Sequence, residues 1–403
     1  MIRFLAVLLL PLSAVATPAA IEAWPLPAGT AAAQPSLSQG TNGAVNLSWI
    51  ERNGNGHRLK FARYANARWS TTRTIAEGDN WFVNWADFPS TTQLPDGTLW
   101  AHNLVKSAKG TYAYDVVLYR SDDGGTSWSA PIRVNDDGTP TEHGFATLWP
   151  WSKNELAIAW LDGRNTGAAP SHDGHGGHGP TGKAMTLRTA VFNRKGHKTA
   201  ESQLDARTCD CCQTDAAVTA NGPVIIYRDR DPKEIRDIYT VRHINGRWQS
   251  PKVVAADQWL MPACPVNGPV IAAHGSSLWA AWYTGSGNTP KIRMTYSGDS
   301  GTTFAPARTL RSGQSILGRV DLAADAKGAW LLWSEENAAQ TLWLQRIGHG
   351  GTSAGSPLRL ATLSGRGQGT GFARMQQTAH GLYVVWTDVI DGKPRLKGIR
   401  LTL

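Results

Sequence analysis

The sequence is poor in methionine and cysteine, and it has no long apolar run beyond its first residues. Of 403 residues, 5 are methionine and 4 are cysteine, against 42 glycines and 18 tryptophans. This composition is typical of many short strands joined by tight turns, and it disfavours a helical fold. The missing apolar run excludes a membrane span after the N-terminus. The lack of a C-x-x-C-H motif argues against covalently bound haem, and no nucleotide cofactor is indicated.

The N-terminus has the pattern of a secretory signal peptide. Arg3 precedes an apolar run (residues 4–12), which is followed by Ala14-Val15-Ala16. A short positive segment, an apolar run too short to cross a bilayer and an A-x-A site define such a peptide. We predict that residues 1–16 are the signal, with cleavage after residue 20 as the alternative. Residues 17–403 would then form an exported protein, periplasmic or extracellular.

The formal net charge is +9 at pH 7. For an exported protein, nucleic acid is an improbable partner, and a basic surface favours an acidic glycan or another anionic small molecule. A generally basic, soluble surface is the alternative explanation. We expect a monomer.

One pattern repeats along the chain: an apolar run that ends in an aromatic residue, then a polar loop, then another strand. Successive terminal aromatics lie 51 to 67 residues apart. Repeats of this length made of short strands indicate the blades of a β-propeller. The terminal aromatics are Trp49, Trp100, Trp160, Tyr227, Trp282, Trp333 and Trp386.

Each repeat accommodates four strands, which we name a to d from the axis outward. The last repeat, 372–403, lacks an obvious strand d, and the segment 24–33 is predicted to supply it and close the ring. Closure removes the exposed edges that an open sheet would leave. We therefore predict one all-β propeller with seven four-stranded blades. Six blades are the alternative, if the first and last repeats share one.

Two c–d turns carry a sharper signature, S-x-D-x-G-x-[ST]-[WF], at Ser121–Trp128 and Ser297–Phe304. A short carboxylate caps turn amides, glycine permits the tight backbone, and the aromatic ring fills the blade. This pattern is the Asp box, and the chain resembles the sialidase-like (BNR-repeat) propellers along nearly all of residues 17–403. The resemblance implies a ligand site at the axis, on the face opposite these turns.

That ligand face is formed by the d–a connections and the b–c loops. The d–a connections bring four cysteines to adjacent blades: Cys209, Cys211, Cys212 and Cys264. Disulfides are one interpretation in an exported protein, and Cys264 with Cys209 or Cys212 is then the favoured pair. The other is a soft-metal thiolate site with Met261 as a thioether ligand, which would suit Cu(I).

Histidines add to the metal hypothesis. His172, His175 and His178 lie in a glycine-rich b–c loop, with His143 on the same face. Neutral imidazoles bind copper, zinc or nickel. A solvated loop that binds metal adventitiously is the alternative.

The resemblance to sialidases also implies a catalytic set. Such enzymes hold a substrate carboxylate with three arginines, because a guanidinium fork matches a carboxylate. They use a tyrosine nucleophile assisted by a glutamate, and an aspartic acid/base. The family's R-I-P-type arginine motif is absent here. The implied catalytic residues are Arg228, Arg319, Arg374, Glu234, Tyr227 and Asp87, and the implied ligand-binding residues are Arg164, Arg230, Asp162, Asp321 and Trp85.

Alternatives remain for these roles, with Tyr239 or Tyr283 as nucleophile and Asp162 as acid. Three functions follow: a glycoside hydrolase on acidic sugars, a copper-binding propeller, or a disulfide-stapled interaction scaffold. The first leads, because the resemblance covers most of the chain.

Overall fold

The apolar runs of the sequence become short β-strands in the computed structural model, which describes residues 20–167 and 183–402. The predicted signal peptide and the three histidines of the 172–178 run lie outside these residues. In chain order the strands are β1 (Ile21–Ala23), β2 (Ala32–Gln39), β3 (Val45–Asn53), β4 (Gly56–Ala65), β5 (Arg68–Trp69), β6 (Arg73–Gly78), β7 (Thr91–Gln93), β8 (Leu99–Lys106), β9 (Tyr114–Ser121), β10 (Ile132–Arg133), β11 (His143–Pro150), β12 (Leu156–Asp162), β13 (Thr186–Phe192), β14 (Lys198–Asp205), β15 (Asp215–Thr219), β16 (Gly222–Arg228), β17 (Ile238–Ile244), β18 (Arg247–Trp248), β19 (Lys252–Ala255), β20 (Val270–His274), β21 (Ser277–Thr284), β22 (Lys291–Ser297), β23 (Arg308–Ser312), β24 (Ile316–Asp325), β25 (Gly328–Glu336), β26 (Gln340–Ile347), β27 (Leu358–Thr362), β28 (Arg374–Thr378), β29 (Gly381–Ile390) and β30 (Lys393–Leu401).

These strands form seven antiparallel blades. Blade 1 is β2 to β6, with its outer strand in two pieces, and blade 2 is β7 to β10. Blades 3, 4 and 5 are β11–β14, β15–β19 and β20–β23, and blade 6 is β24–β27. Blade 7 combines β28, β29 and β30 with β1. The described residues therefore confirm the predicted seven-bladed propeller and exclude six blades.

The repeated apolar run is strand b of each blade. Every residue of β12 is buried, because this strand is covered by a neighbouring blade on both faces. Trp160, at the polar end of the run, is fully buried, and its indole nitrogen donates to Asp162 at 2.8 Å. Large aromatic rings can fill the widening space between blades, which explains why each run ends in one.

The ring closes between the two ends of the described chain. Strand β1 pairs antiparallel with β30, and the Trp24 backbone amide donates to the Gly398 carbonyl at 2.9 Å. The closing strand was expected within 24–33; it lies just upstream of Trp24. Trp24 is 3% exposed, and its ring stacks on Trp69 of blade 1, so it locks the first blade to the last.

The two Asp-box turns have the hydrogen bonds that their sequence predicts. Asp299 accepts from the backbone amide of Thr303 at 2.9 Å and from its hydroxyl at 2.6 Å. Asp123 accepts in the same way from Ser127. These bonds to the charged form lower the pKa of Asp123 to about 2. The carboxylates thus hold the turns and do not face the axis.

Helical structure in the described residues is confined to short 3-10 turns. Nowhere in that part of the chain is a helix long and apolar enough to cross a membrane. The turns are Thr41–Gly43, Ser286–Asn288, His349–Gly351 and Gly367–Thr370.

Candidate functional site

Backbone strain gathers where inner strands begin on the ligand face. Gln34, Phe145 and Arg319 have positive φ angles of 54°, 51° and 50°. Each sits at a register shift of strand a, in blades 1, 3 and 6. Bulges re-aim side chains, and strained non-glycine residues cluster at functional sites. This end of the ring therefore has the backbone features of a binding surface.

The connection between blades 1 and 2 reaches across the axis of the ring. The Trp85 ring stacks on Phe372, which lies in the loop that leads into blade 7, and the two ring centroids are 5.9 Å apart. The neighbouring Ala86 carbonyl accepts from the Gln213 side chain at 2.7 Å, in the approach to blade 4. Contacts to both sides of the ring place this segment at its centre.

Around this segment lies a group that we call the axial platform: Trp85, Phe88, Phe372, Arg319 and Arg374. The Phe88 and Phe372 rings are 5.6 Å apart. The Arg319 guanidinium lies 4.9 Å from the Trp85 ring, and that of Arg374 lies 5.1 Å from the Phe88 ring. Two predicted arginines and the predicted tryptophan are thus brought together, whereas sequence reasoning missed both phenylalanines.

Three carboxylates join neighbouring inner strands. Asp87 accepts from the Phe145 amide at 2.8 Å, and Asp321 accepts from the Met375 amide at 2.7 Å. In the same way, Asp215 accepts from the Ile271 amide at 2.9 Å. Each bond links one blade to the next, so the carboxylates are part of the scaffold as well as of the face.

Asp87 belongs to a buried network with Tyr114 and Glu142. The Tyr114 hydroxyl lies 2.7 Å from a Glu142 oxygen and 3.1 Å from an Asp87 oxygen. Burial raises the pKa of Asp87 to about 7, against the opposing hydrogen bonds from Phe145 and Tyr114. Tyr114 was not predicted, because this network joins residues from three separate parts of the chain.

The cysteine cluster is the most compact group of reactive side chains on this face. The Cys209 sulfur lies 2.9 Å from that of Cys212 and 3.9 Å from that of Cys211. All three residues are buried, and their sulfurs lie within 4.8 Å of one another. Cys264 is near enough for its side chain to hydrogen-bond Cys211. Adjacent blades therefore bring the four cysteines together, as the topology predicts.

No disulfide joins these four cysteines, all of which lie in the described part of the chain. The disulfide hypothesis stays a prediction. Met261, the expected thioether ligand, lies in the same connection as Cys264, and its backbone amide donates to the Glu234 carbonyl at 2.9 Å.

A buried ion network surrounds Cys209. Arg236 donates to the Cys209 sulfur at 3.1 Å and to Glu234 at 2.9 Å. Arg230 also contacts Glu234, at 2.7 Å, and its other side reaches Asp210 at 2.6 Å. Both arginines are 1% exposed, so they compensate buried negative charge. Sequence reasoning missed Asp210 as a site residue. Its position between Cys209 and Cys211 could have indicated that it belongs to the same site.

Opposing effects act on the pKa of Cys209. Burial raises it, but hydrogen bonds with Cys211 and Cys212 and the positive charges of Arg236 and Arg228 lower it well below its usual value. Burial raises the pKa of the Cys211 thiol. The three sulfurs therefore interact closely with one another.

Several residues of the implied sialidase set are engaged by the protein itself. Arg228 donates to the carbonyls of Arg236 at 2.7 Å and Tyr283 at 2.6 Å. Tyr227 is fully buried and its hydroxyl donates to Asp205, not to Glu234. Arg319 is 6% exposed, and burial lowers its pKa to about 10. Its Nη1 donates to the carbonyls of Gly367 and Gly371 and to the Thr370 hydroxyl.

His143 belongs to a second, separate group. Its Nδ1 donates to the Tyr114 carbonyl at 3.1 Å, and its Nε2 lies 3.2 Å from an Asp137 oxygen. Asp162 is 3.8 Å from Nε2 and is held by the Arg164 fork at 2.7 and 2.8 Å. These oxygen and nitrogen atoms could hold a cation, but the Arg164 guanidinium already supplies positive charge there.

A cavity of 730 Å³ opens on the opposite face of the ring, among the a–b turns. Its walls include His274, Lys327, Trp330 and Arg346. None of the predicted site residues in the described chain lines it.

The ring defines the class of protein, a seven-bladed β-propeller, and comparison with known proteins agrees. No protein-family model matches the chain, and no curated protein matches it by sequence. The chain is similar to the solved structure of a protein of unknown function from Dyadobacter fermentans, with a TM-score of 0.51 and 13% identity over 93% of this chain and 95% of that one.

Two further similar structures are enzymes. Polysaccharide lyase Uly1 matches with a TM-score of 0.51 and 9% identity, covering 92% of this chain and 90% of the other. The α-L-arabinanase of Penicillium chrysogenum, solved with arabinobiose, matches with a TM-score of 0.50 and 13% identity, covering 92% and 93%. Sialidases also match, at TM-scores of 0.46 and 0.47. At these identities the likeness shows the fold alone.

Proposed function

We propose that this propeller binds an acidic glycan on its ligand face, with the axial platform as the binding surface. The observation that carries the proposal is the meeting of Trp85, Phe88 and Phe372 with the guanidinium groups of Arg319 and Arg374 at the axis. Ligand sites are typically lined by aromatic side chains with a few placed polar groups, and this group has that composition.

Arg374 is the cation best placed to meet a ligand carboxylate. Its side chain is 24% exposed, and its contact to Asp321 is long, at 3.5 Å. A guanidinium has five N–H donors, so most of them are left for a ligand. By contrast, Arg228 and Arg319 are almost fully buried, and each donates to backbone carbonyls.

The aromatic part of the platform suits a sugar ring. Trp85 and Phe88 are half-buried, so part of each ring remains open to solvent. The Trp85 ring stacks on the Phe372 ring at an interplanar angle of 16°. A rigid aromatic face that is held in place loses little conformational entropy when a ligand covers it.

The Tyr227–Glu234 pair that the resemblance implies lacks the geometry of sialidase-type hydrolysis. That reaction needs an accessible tyrosine assisted by a glutamate. Tyr227 is fully buried, and Glu234 is held in ion pairs with Arg230 and Arg236. We therefore expect no release of the fluorophore from a fluorogenic sialoside. Two of the similar solved structures are named for action on polysaccharides, and a glycan ligand is consistent with them.

The test compares a uronic-acid trisaccharide, trigalacturonate, with its carboxyl-reduced neutral counterpart by titration calorimetry. We expect the acidic form to bind more tightly, and Arg374→Met to remove this preference. Charge-assisted hydrogen bonds are worth about 1.5–3 kcal/mol, which corresponds to about a 10- to 150-fold loss of affinity. Trp85→Ala should weaken both sugars.

Arg68→Met provides the matched control, since Arg68 is exposed on β5 at the outer edge of blade 1. Oligoglucuronate and sialyllactose extend the panel to other acidic sugars. Equal binding of acidic and reduced sugars, or no binding of any acidic sugar at millimolar concentration, would overturn the proposal.

A further inference from the structure

We propose that the cysteine cluster is a binding site for one thiophilic monovalent metal ion, Cu(I), with Cys209, Cys211 and Cys212 as its ligands. The site is independent of the axial platform. The sequence alone suggested a wider donor set with a methionine and several histidines; the structure narrows it to three neighbouring cysteines.

The sulfur positions fit a single ion. Metal–sulfur bonds are about 2.3 Å long, so one ion joins sulfurs up to about 4.6 Å apart. The Cys209 sulfur lies 2.9 Å from that of Cys212 and 3.9 Å from that of Cys211. Small adjustments of buried side chains are enough to place an ion among them.

The donor chemistry selects a soft ion. The compact group consists of sulfur atoms alone, and the other group of potential metal ligands in the described residues, around His143, is a separate one. Soft thiolate ligands favour Cu(I), whereas carboxylates and water favour hard cations. Burial of the three residues also excludes water from the ligand sphere.

The number of sulfur donors favours Cu(I) over zinc. Structural zinc sites are almost always four-coordinate, whereas the sulfur atoms of three cysteines lie within 4.8 Å of one another here. The thiolate form of cysteine is the metal ligand, so each thiol that binds the ion releases its proton to solvent.

Arg236 donates to the Cys209 sulfur at 3.1 Å, which fixes the position of that ligand. A neighbouring positive charge also stabilises a thiolate ligand.

The test is anaerobic titration of the reduced full-length protein with Cu(I) against a chromogenic Cu(I) chelator. We expect one Cu(I) per chain and a thiolate-to-copper charge-transfer band in the near ultraviolet. Cys209→Ser and Cys212→Ser should each lose about 100-fold or more in affinity, since even changes to residues that only hydrogen-bond a metal ligand cost about 10- to 100-fold. His274→Ala, an exposed imidazole on the opposite face, should bind as wild type does.

If the serine variants fail to fold, X-ray absorption spectroscopy of the wild-type copper complex still identifies the atoms bound to copper. Scattering from sulfur alone supports the site, and scattering from nitrogen or oxygen alone contradicts it. The proposal would also be contradicted if folded Cys209→Ser and Cys212→Ser proteins bound copper as tightly as wild type does. A Cys209–Cys212 disulfide that survives thiol reductant and blocks copper would show a structural crosslink instead.

Discussion

Asp87 is a carboxyl group that is 2% exposed at the centre of the ring, and replacing it with asparagine should change how stability depends on pH. Its two oxygens meet the Phe145 amide at 2.8 Å and the Tyr114 hydroxyl at 3.1 Å. An asparagine can accept from the amide with its oxygen and donate to the hydroxyl oxygen with its nitrogen. Asp87→Asn therefore removes the titration and keeps the hydrogen bonds.

The magnitude follows from the raised pKa of Asp87, which is about 7 in the folded protein against an ordinary value of 3.8. The folded carboxyl stays protonated where the unfolded one ionises. This group's contribution to the free energy of unfolding is fully present below about pH 4, and it is lost as the pH rises to about 7. A tenfold change in the acid dissociation constant is worth about 1.36 kcal/mol, so the loss is about 4 kcal/mol.

The assay is urea unfolding of wild type and Asp87→Asn at several values between pH 4 and pH 8. We expect the free energy of unfolding of the variant, relative to that of wild type, to rise by about 4 kcal/mol between pH 4 and pH 8. Any stability difference between the two proteins that does not depend on pH leaves this change unaffected. Asp79→Asn is the matched control, because Asp79 is exposed in the same connection between blades 1 and 2. Parallel pH profiles for wild type and Asp87→Asn would refute the reasoning, because they would mean that Asp87 is ionised in the folded protein.

Two further predictions concern packing. A Cβ atom at Gly144 would lie 2.0 Å from an Asp87 oxygen, so Gly144→Ala should lower the melting temperature sharply, whereas Gly110→Ala, with its nearest neighbour at 3.6 Å, should not. Trp24→Ala should cost about 3–5 kcal/mol of unfolding free energy in chemical denaturation, because a buried tryptophan is lost at the closure of the ring. Ile21→Ala, at a side chain that is 40% exposed on β1, should cost much less, and equal losses would show that the Trp24 ring does not lock the closure.

The architecture could be predicted from sequence because the central strand of each blade is encoded by one continuous apolar run. The run from Leu156 to Trp160 lies inside β12, and that from Leu278 to Trp282 lies inside β21. The closing strand was misplaced by a few residues, because β1 is a three-residue edge strand whose residues are all exposed. The position of such a strand is determined by its pairing with β30, and the local sequence does not reveal that pairing.

The site was only partly predictable for a related reason. Topology correctly placed the cysteines together, because the loops that lead into the inner strands of adjacent blades must be neighbours. It could not reveal whether a guanidinium faces a ligand or a backbone carbonyl, and Arg228 turned out to face carbonyls from two other segments. Likewise, Tyr114, Glu142 and Asp87 meet through packing between blades, which no spacing in the sequence encodes.

The pairing of β1 with β30 has a consequence for how the chain must be made. Strand β1 has its partner far along the chain, and Glu22 pairs with Arg400, 378 residues later. The blades in between can form as they emerge, but the ring cannot close before β30 has been made. A chain that is terminated before β30 would leave β1 without its partner and would leave the ring open. We therefore expect truncated products to be cleared by proteolysis and not to persist as smaller propellers.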